Sequence, residues 1–447
     1  MAIKNSAPLT VSQRIGALME IHPKGYDLSL ERIRNLLDKL GNPQDRLPPV
    51  IHFAGTNGKG STIAFARAIL EAAGLAVHVH TSPHLVNWHE RYRLGQRRGR
   101  GSLADDALLS DAIRRVAETN GGLPITVFEV LTAVTFVLFS EQEADVCLIE
   151  VGLGGRFDAT NVMESTALSV ITPIDIDHQT FLGDTLAKIA FEKAGIIKQG
   201  TPLIIGDQQD EALEVIERQA ARNRSQKMVA GQDFHGIREN GRLVYQDQNA
   251  LLDLALPRLV GEHQISNAAT AIAASRAFCN QQNIELTNAM VDQGIVTAEW
   301  PARMQHITHG TLIDTMPETC DVWLDGGHNP GAGRMVAQYL GDLEERDPRP
   351  LTMVCAMIDT KDSDGYFRQF ETLVERVITV PIVSSDAGVN PELLADLAEN
   401  AGLPAISAPS LKQALHMVDG SEPNRVLVCG SLYLAGDMLE QNGTPPA

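Results

Sequence analysis

A short apolar run that breaks into a glycine-rich turn and resumes as a helix limits this chain more than any other feature. It reads VIHFAGTNGKGSTIAFARAILEAAG, residues 50–74. A strand ending in such a turn exposes consecutive backbone N–H groups that wrap a phosphate, and a lysine at the start of the next helix reaches the terminal charges. Gly55, Gly58 and Gly60 flank Lys59, and Ser61 follows. The spacing departs from the usual phosphate loop, because its first glycine position falls on Phe53 and Gly60 separates Lys59 from the hydroxyl. A tight strand-to-helix connection with no ligand is the alternative reading of the same residues.

Around this turn, β-rich apolar runs alternate with helix-like stretches, the pattern of a mostly parallel sheet covered by helices. Strands are expected at 49–54, 76–80, 145–150, 168–172 and 202–205, with helical periodicity over 61–73, 104–118 and 128–141. A second series begins near Trp300, where DVWLD, LTMVCAM, RVITVPIV and RVLVCG read as strands separated by helix-length segments. The chain of 447 residues has room for two or three domains. The pattern predicts two α/β domains, 1–298 and 299–447, with the Pro-rich end NGTPPA as a frayed tail.

A formal charge of -19 argues against a nucleic-acid or anionic-membrane binder, so any phosphate site must be local. The cysteines, Cys147, Cys279, Cys320, Cys355 and Cys429, are scattered and odd in number, which suggests neither a disulfide framework nor a zinc site. The longest apolar run, VLTAVTFVLF at 130–139, is too short to span a bilayer, and the N-terminus lacks the apolar core of a signal peptide. A cytoplasmic protein is expected.

Phosphoryl chemistry calls for a divalent metal, so oxygen or nitrogen ligands should converge from neighbouring strand ends. Three candidates stand there: Ser82 in HVHTSPH, Glu150 closing DVCLIE, and His178 in the loop VITPIDIDHQTFLG. A carboxylate ending a buried strand is costly unless paired or metal-bound. His178 taken alone reads more often as a structural histidine than as a ligand.

Nine blocks carry a resemblance: GTNGKGS, SPH at 82–84, EVGLGGRFDATN at 150–161, DHQTFLG at 177–183, IAFEKAGIIK at 189–198, GEHQISNAA at 261–269, WPARMQ at 300–305, DGGHNP at 325–330 and GSLYLAG at 430–436. In this order they resemble the folylpolyglutamate synthase and dihydrofolate synthase family of the Mur ligase superfamily, whose own turn has the lysine-glycine-serine form. The resemblance implies a P-loop-containing, Mur-ligase-like central domain followed by a smaller Rossmann-like α/β domain. It implies an ATP-dependent ligase that phosphorylates a folate-type carboxylate and lets the amine of L-glutamate displace phosphate from the acyl phosphate. Dihydropteroate or folates, L-glutamate and ATP would be its small-molecule partners, and the protein would be a monomer.

By family match, Gly55, Thr56, Asn57, Gly58, Lys59, Gly60 and Ser61 would hold ATP, together with Asn267, Arg303 and Asp325. Ser82, Glu150 and His178 would form the magnesium shell, and Lys193, carbamylated by carbon dioxide, would serve a second Mg2+ ion. Lys59, Lys193 and His328 would be catalytic, with His328 and Ser431 tied to glutamate. Asp27, Leu28, Ser29, Phe128, Phe157, Asp158 and Ala159 match the pterin or folate pocket. Two departures stand out: Ser29 replaces a usual glycine, and the family has glycine where this chain has Ala302, just before Arg303. Without the resemblance, residues 25–41 read as an amphipathic helix and Lys193 as a surface lysine. The basic stretch HERYRLGQRRGRGS at 89–102 reads either as a solvated loop or as a guide for an anionic polyglutamate tail.

Two rivals differ in what they require. A cell-wall Mur ligase carries a nucleotide-sugar domain before its phosphate loop, and only about fifty residues precede this one. A non-catalytic nucleotide switch needs neither DGGHNP nor GSLYLAG.

Overall fold

The computed structural model describes residues 10–21 and 29–446. Its first sheet has eight strands: β1 (Val50–Ala54), β2 (Val77–His80), β3 (Tyr92–Gln96), β4 (Gly99–Leu103), β5 (Val146–Glu150), β6 (Leu168–Ile171), β7 (Leu203–Ile205) and β8 (Lys227–Val229). They lie in the order β4-β3-β2-β5-β1-β6-β7-β8, which puts β1 well inside the sheet. From β2 to β8 the pairings are parallel, whereas β3 and β4 form an antiparallel hairpin at one edge. The inner strands are buried along their length, which is why they read as continuous apolar runs.

Successive residues of β1 serve opposite cores. Ile51 and Phe53 face the helices Lys59–Ala72, Glu262–Gln282 and Asn288–Thr297, while Val50 faces the helices Asp106–Asn120 and Val127–Glu141. The helix Lys59–Ala72, which starts at the glycine turn, is held by the first of these cores along nearly its whole length. At Gly294 the approach is so close that an added Cβ would lie 2.5 Å from the Ile69 Cα.

A small antiparallel sheet follows, formed by β9 (Phe234–Glu239), β10 (Arg242–Asp247) and β11 (Ala250–Leu254). The last sheet contains β12 (Gln305–Ile307), β13 (Cys320–Leu324), β14 (Leu351–Cys355), β15 (Arg376–Thr379), β16 (Ala405–Ser407) and β17 (Asn424–Cys429). Its order is β12-β13-β17-β14-β15-β16, parallel except for β12, with an apolar core on each face. The architecture is thus the α/β arrangement expected, and the strands of the second series start after residue 300.

Differences from expectation follow from polarity. The edge hairpin β3–β4 and the sheet β9–β11 carry many charged and polar residues, so they lack the apolar runs that mark inner strands. The end of the chain is not simply frayed. The Thr444 N–H donates to Leu439 O at 2.9 Å. Buried Asn442 accepts from Thr311 and Leu312 N–H groups at 2.9 and 3.0 Å, fastening the terminus to the loop before β13.

Gly294→Ala tests how the phosphate-loop helix is seated. Alanine would favour the helix by about 1 kcal/mol, but overpacking against the Ile69 backbone costs about 1–3 kcal/mol. The denaturation midpoint should therefore fall, and an unchanged or raised midpoint would show that this close approach does not position the helix.

Candidate active site

The turn after β1 is fastened to the loop after β6. Thr56 and Asn57 N–H groups donate to Pro173 O at 2.9 and 3.1 Å, and Thr172 Oγ1 donates to Asn57 O at 2.8 Å. Gly60, the residue that breaks the usual phosphate-loop spacing, lies under the Trp300 indole. A Cβ there would fall 2.5 Å from the ring, so the position must remain glycine for Trp300 to cover the start of the helix. Asn267 and Gln264, from the helix Glu262–Gln282, close the other side. Asn267 Nδ2 donates to Gln264 Oε1 at 3.1 Å, and Gln264 Nε2 lies 3.4 Å from Ser61 Oγ.

Two lysines converge on one carbonyl. Lys59 Nζ donates to Gly55 O at 3.0 Å, and buried Lys193 Nζ donates to the same oxygen at 2.8 Å. Burial, reinforced by the Lys59 charge, lowers the Lys193 pKa to about 7. Glu150, at the end of β5, sits 3.9 Å from Lys59 Nζ through Oε1, while its Oε2 accepts the Ser82 N–H at 3.0 Å. Burial raises the Glu150 pKa against the opposing pull of Lys59. His178, in the loop after β6 on the same side of the cleft, has φ +52° and a half-exposed ring.

The second α/β unit supplies the opposite wall. Asp325 is buried, and its carboxylate accepts from Met304 N–H at 2.8 Å and Gly327 N–H at 2.7 Å. The first of these bonds holds the arm carrying Arg303, in which Ala302 and Met304 take φ of +53° and +40°. Left-handed backbone costs an L-residue about 1–2 kcal/mol, a cost that a glycine, the residue expected at position 302, would avoid. Here the conformation is kept by Asp325, by Gln305 Oε1 accepting from Ala302 N–H at 3.0 Å, and by Ala302 O accepting from Gly326 N–H at 2.9 Å.

His328 Nδ1 lies 2.9 Å from Gly326 O. A carbonyl only accepts, so Nδ1 carries the proton and Nε2 keeps its lone pair. Burial, with Lys361 nearby, holds the His328 pKa down to about 4 and the ring neutral near pH 7.

These residues line one cleft of about 830 Å3: the turn Gly55–Ser61, Ser82, Glu150, His178, Lys193, Asn267, Arg303, Asp325 and His328. Ser431 stands just outside the lining, where its Oγ accepts the Tyr433 N–H at 3.1 Å and caps the last helix. The pterin-matched residues lie elsewhere, under Gly152, where a Cβ would meet the Phe128 ring at 2.2 Å. Asp158 is buried and accepts from Leu153 and Thr160 N–H groups at 2.8 and 2.9 Å. Ala159 is buried beside it, and Phe157 is exposed under the Arg156 guanidinium at 4.7 Å. Ser29 Oγ accepts the Glu31 N–H at 3.2 Å at the start of the helix Glu31–Lys39. Asp27 and Leu28 lie outside the described residues.

Sequence reasoning missed the residues that join the two halves of the cleft. Lys361 Nζ donates to Asp177 Oδ1 at 2.7 Å, and Asn329 Nδ2 reaches both Asn57 Oδ1 at 3.1 Å and Asp177 Oδ2 at 3.3 Å. Both partners of the ion pair are about nine-tenths buried, at 7% and 10% side-chain exposure. Asp177 lay beside the flagged His178 and Asn329 inside DGGHNP, but nothing in the chain pairs Lys361 with a carboxylate so distant in sequence.

Among the described residues no three His, Cys, Asp or Glu side chains converge as a metal cage. Mg2+ does not require one, since it takes one or two carboxylates with phosphate oxygens and waters. Glu150 Oε1, 3.9 Å from Lys59 Nζ, and the neighbouring Ser82 hydroxyl suit that hard cation.

Comparisons with known proteins agree with this layout. Residues 53–275 match the family described as Mur ligase middle domain, and residues 310–441 the one described as Dihydrofolate synthetase, C-terminal domain. The chain is 32% identical over 423 residues to a folylpolyglutamate synthase from Lacticaseibacillus casei, covering 90% of this chain and 92% of that one. It is 30% identical over 429 residues to a dihydrofolate synthetase from Saccharomyces cerevisiae, covering 92% and 97%. Its structure resembles that of E. coli FolC in complex with DHPP and ADP, with a TM-score of 0.85, 29% identity and 98% of each chain covered.

Replacing Lys361 by methionine leaves Asp177 buried without its cation, a loss of about 3–5 kcal/mol for a buried pair. The loss falls on the closed arrangement of the two halves. Lys361→Met should weaken ATP binding by roughly tenfold or more and enlarge the radius of gyration in small-angle scattering. If neither changes, this ion pair does not hold the cleft shut.

Proposed function

The chain belongs to the folylpolyglutamate synthase and dihydrofolate synthase family of Mur ligases, and on that basis we propose that its cleft uses ATP to activate a folate-type carboxylate for attack by glutamate. It is an ATP-dependent ligase joining glutamate to folates. One observation carries the finer reading. The glycine turn with Lys59, Glu150 and Ser82, and the arm with Arg303, Asp325 and His328, line the same cleft from opposite sides.

A carboxylate is a poor electrophile because its leaving group would be oxide. Phosphorylation by the γ-phosphate of ATP gives a mixed anhydride, and attack by the glutamate amine then expels phosphate and leaves an amide. The turn offers backbone N–H groups at a helix N-terminus to the phosphates, where the helix dipole favours negative charge. Lys59, now bonded to Gly55 and Thr56 carbonyls, is within reach of the same charges. Arg303 faces them from the other side, its guanidinium bonded to Ala302 O at 2.7 Å.

Ser82, Glu150 and His178 would hold Mg2+, which offsets charge on crowded phosphates. Lys193 is a buried amine bonded to Gly55 O, and its lowered pKa supports a neutral form able to combine with carbon dioxide and become a carboxylate for a second ion. His328, neutral and with Nε2 free of a proton, is suited to accept the proton that the glutamate ammonium must lose. The region of Phe128, Phe157, Asp158 and Ala159, where the Phe128 ring packs against Gly152 at the edge of the cleft, is the proposed binding place for the flat pterin, and the whole chain is proposed to act in the cytoplasm as a monomer. Dihydropteroate and folates already bearing glutamate are both proposed acceptors; phosphate release with glutamate, compared between dihydropteroate and tetrahydrofolate, tests each separately.

Glu150→Ala should abolish turnover with the fold intact, checked by phosphate release at saturating magnesium and by circular dichroism. Near-normal release would remove Glu150 from the reaction. Lys193→Ala should lose activity and regain part of it with added short carboxylates, which stand in for the missing carbamate. A mutant that is inactive yet indifferent to every such carboxylate would argue for a purely structural lysine. Rapid-quench measurement should find the acyl phosphate accumulating in His328→Ala and failing to form in Arg303→Ala; the reverse pattern would exchange their roles.

A further inference from the structure

We propose that a second, arginine-lined cavity of about 590 Å3 receives the γ-linked glutamate tail of acceptors that already carry glutamate. The inference rests on the glutamate-ligase reading above and concerns the path by which a tailed acceptor reaches that centre. The cavity shares Ser82, Glu150 and Arg303 with the nucleotide cleft and leads away from it between the two halves of the molecule.

Five arginines line it against three carboxylates, a local positive excess in a chain whose net charge is -19. Two of the arginines come from the basic stretch 89–102, which forms the edge hairpin β3–β4 and supplies Arg93 and Arg100 to the wall. One carboxylate, Glu90, is already saturated by the N–H groups of Leu85, Val86 and Asn87 at 2.8, 2.9 and 2.7 Å. At the mouth, Glu299 holds both Arg100, at 2.8 Å, and Arg258, at 2.7 Å.

Deeper in, Arg67 is only 7% exposed, and its Nε has no hydrogen-bond partner. Its nearest carboxylate, Glu71, is 3.9 Å away. A buried guanidinium with an unmet donor is costly, and the group that satisfies its planar fork best is a carboxylate.

The chemistry of the tail fits this arrangement. An acceptor without glutamate carries its reacting carboxylate directly on its aromatic end. Each added glutamate moves the rings farther from the reacting γ-carboxylate and leaves one α-carboxylate along the way. A passage running from Glu150 past Arg67 and Arg93 to the Arg100 and Arg258 mouth meets charges of that kind in succession, whatever the length. Its size is that of a cavity for ligands larger than one amino acid, and Trp300 and Trp323 offer apolar wall for the methylene stems.

The test compares full-length wild type with Arg67→Gln and with the exposed double variant R100Q/R258Q, whose rim positions leave the fold undisturbed. Glutamate addition to mono- and triglutamyl tetrahydrofolate and to dihydropteroate is measured, alongside calorimetric titration of a free γ-linked triglutamate. We expect the variants to raise the triglutamyl KM roughly tenfold, as loss of charge-assisted carboxylate bonds implies. The ratio of triglutamyl to monoglutamyl KM should rise with it, and the KM for L-glutamate should stay within about twofold. Glu299→Gln, which frees both mouth arginines, should tighten the peptide.

An equal rise in KM for every acceptor, or a rise confined to L-glutamate, would overturn the proposal and make the cavity a co-substrate site or a structural feature. Should the wild type extend no folate at all, the titration still decides. Triglutamate binding lost in R100Q/R258Q supports the cavity's role, and no binding to wild type ends it.

Discussion

Two ammonium groups sharing the carbonyl oxygen of Gly55 set the terms for the rest of this molecule. Lys59 and Lys193 approach it from different elements, at 3.0 and 2.8 Å, in a place largely closed to water. Positive charge so concentrated is unfavourable unless an anion offsets it or one amine gives up its proton; burial first, and the Lys59 charge after it, lower the Lys193 pKa in the direction of the second response. A nucleotide triphosphate supplies the first. The glycine turn, the helix dipole behind it and Glu150 at 3.9 Å from Lys59 are all arranged about that one concentration of charge.

The same constraint explains why the chain needs two α/β units. The first sheet brings Lys59, Ser82, Glu150 and His178 to the ends of its strands, on one side of the cleft only. The second side arrives with Asn329, whose amide bonds to Asn57 in the phosphate turn itself, and with Lys361, which neutralises Asp177 beside His178. Closure is thus coupled to the phosphate site through side chains that touch both. The left-handed pair Ala302 and Met304 belongs to this joint: backbone strain is tolerated where Asp325 ties down the arm at Met304 N–H and Gly326 N–H holds Ala302 O.

Charge is distributed with equal economy. The surface as a whole is acidic, yet arginines from the β3–β4 hairpin, the helix Lys59–Ala72 and the loop at Arg258 turn toward one cavity next to the reacting centre. Local fields of this kind act over roughly a Debye length, so an acidic protein can still draw a polyanion to a single opening.

Much of this was legible in the order of residues alone. The strand-turn-helix at 50–74, the carboxylate closing β5 and the inner strands are local or periodic signals, carried by apolar runs and by glycines with one steric reading. The departure at Gly60 was legible too, but not its cause, because the cause is Trp300, 240 positions later in the numbering. Ala302 could be seen to stand where glycine was expected, though only the fold revealed its φ of +53°. What the tertiary structure alone decided are pairings between residues with no periodic relation: Asp177 with Lys361 across 184 positions, Asn57 with Asn329 across 272, and Arg100 with Glu299 across 199. Apolar patterning specifies which face of an element is buried. It does not specify which charged side chain will meet which, since that depends on how two separately folded cores are brought together.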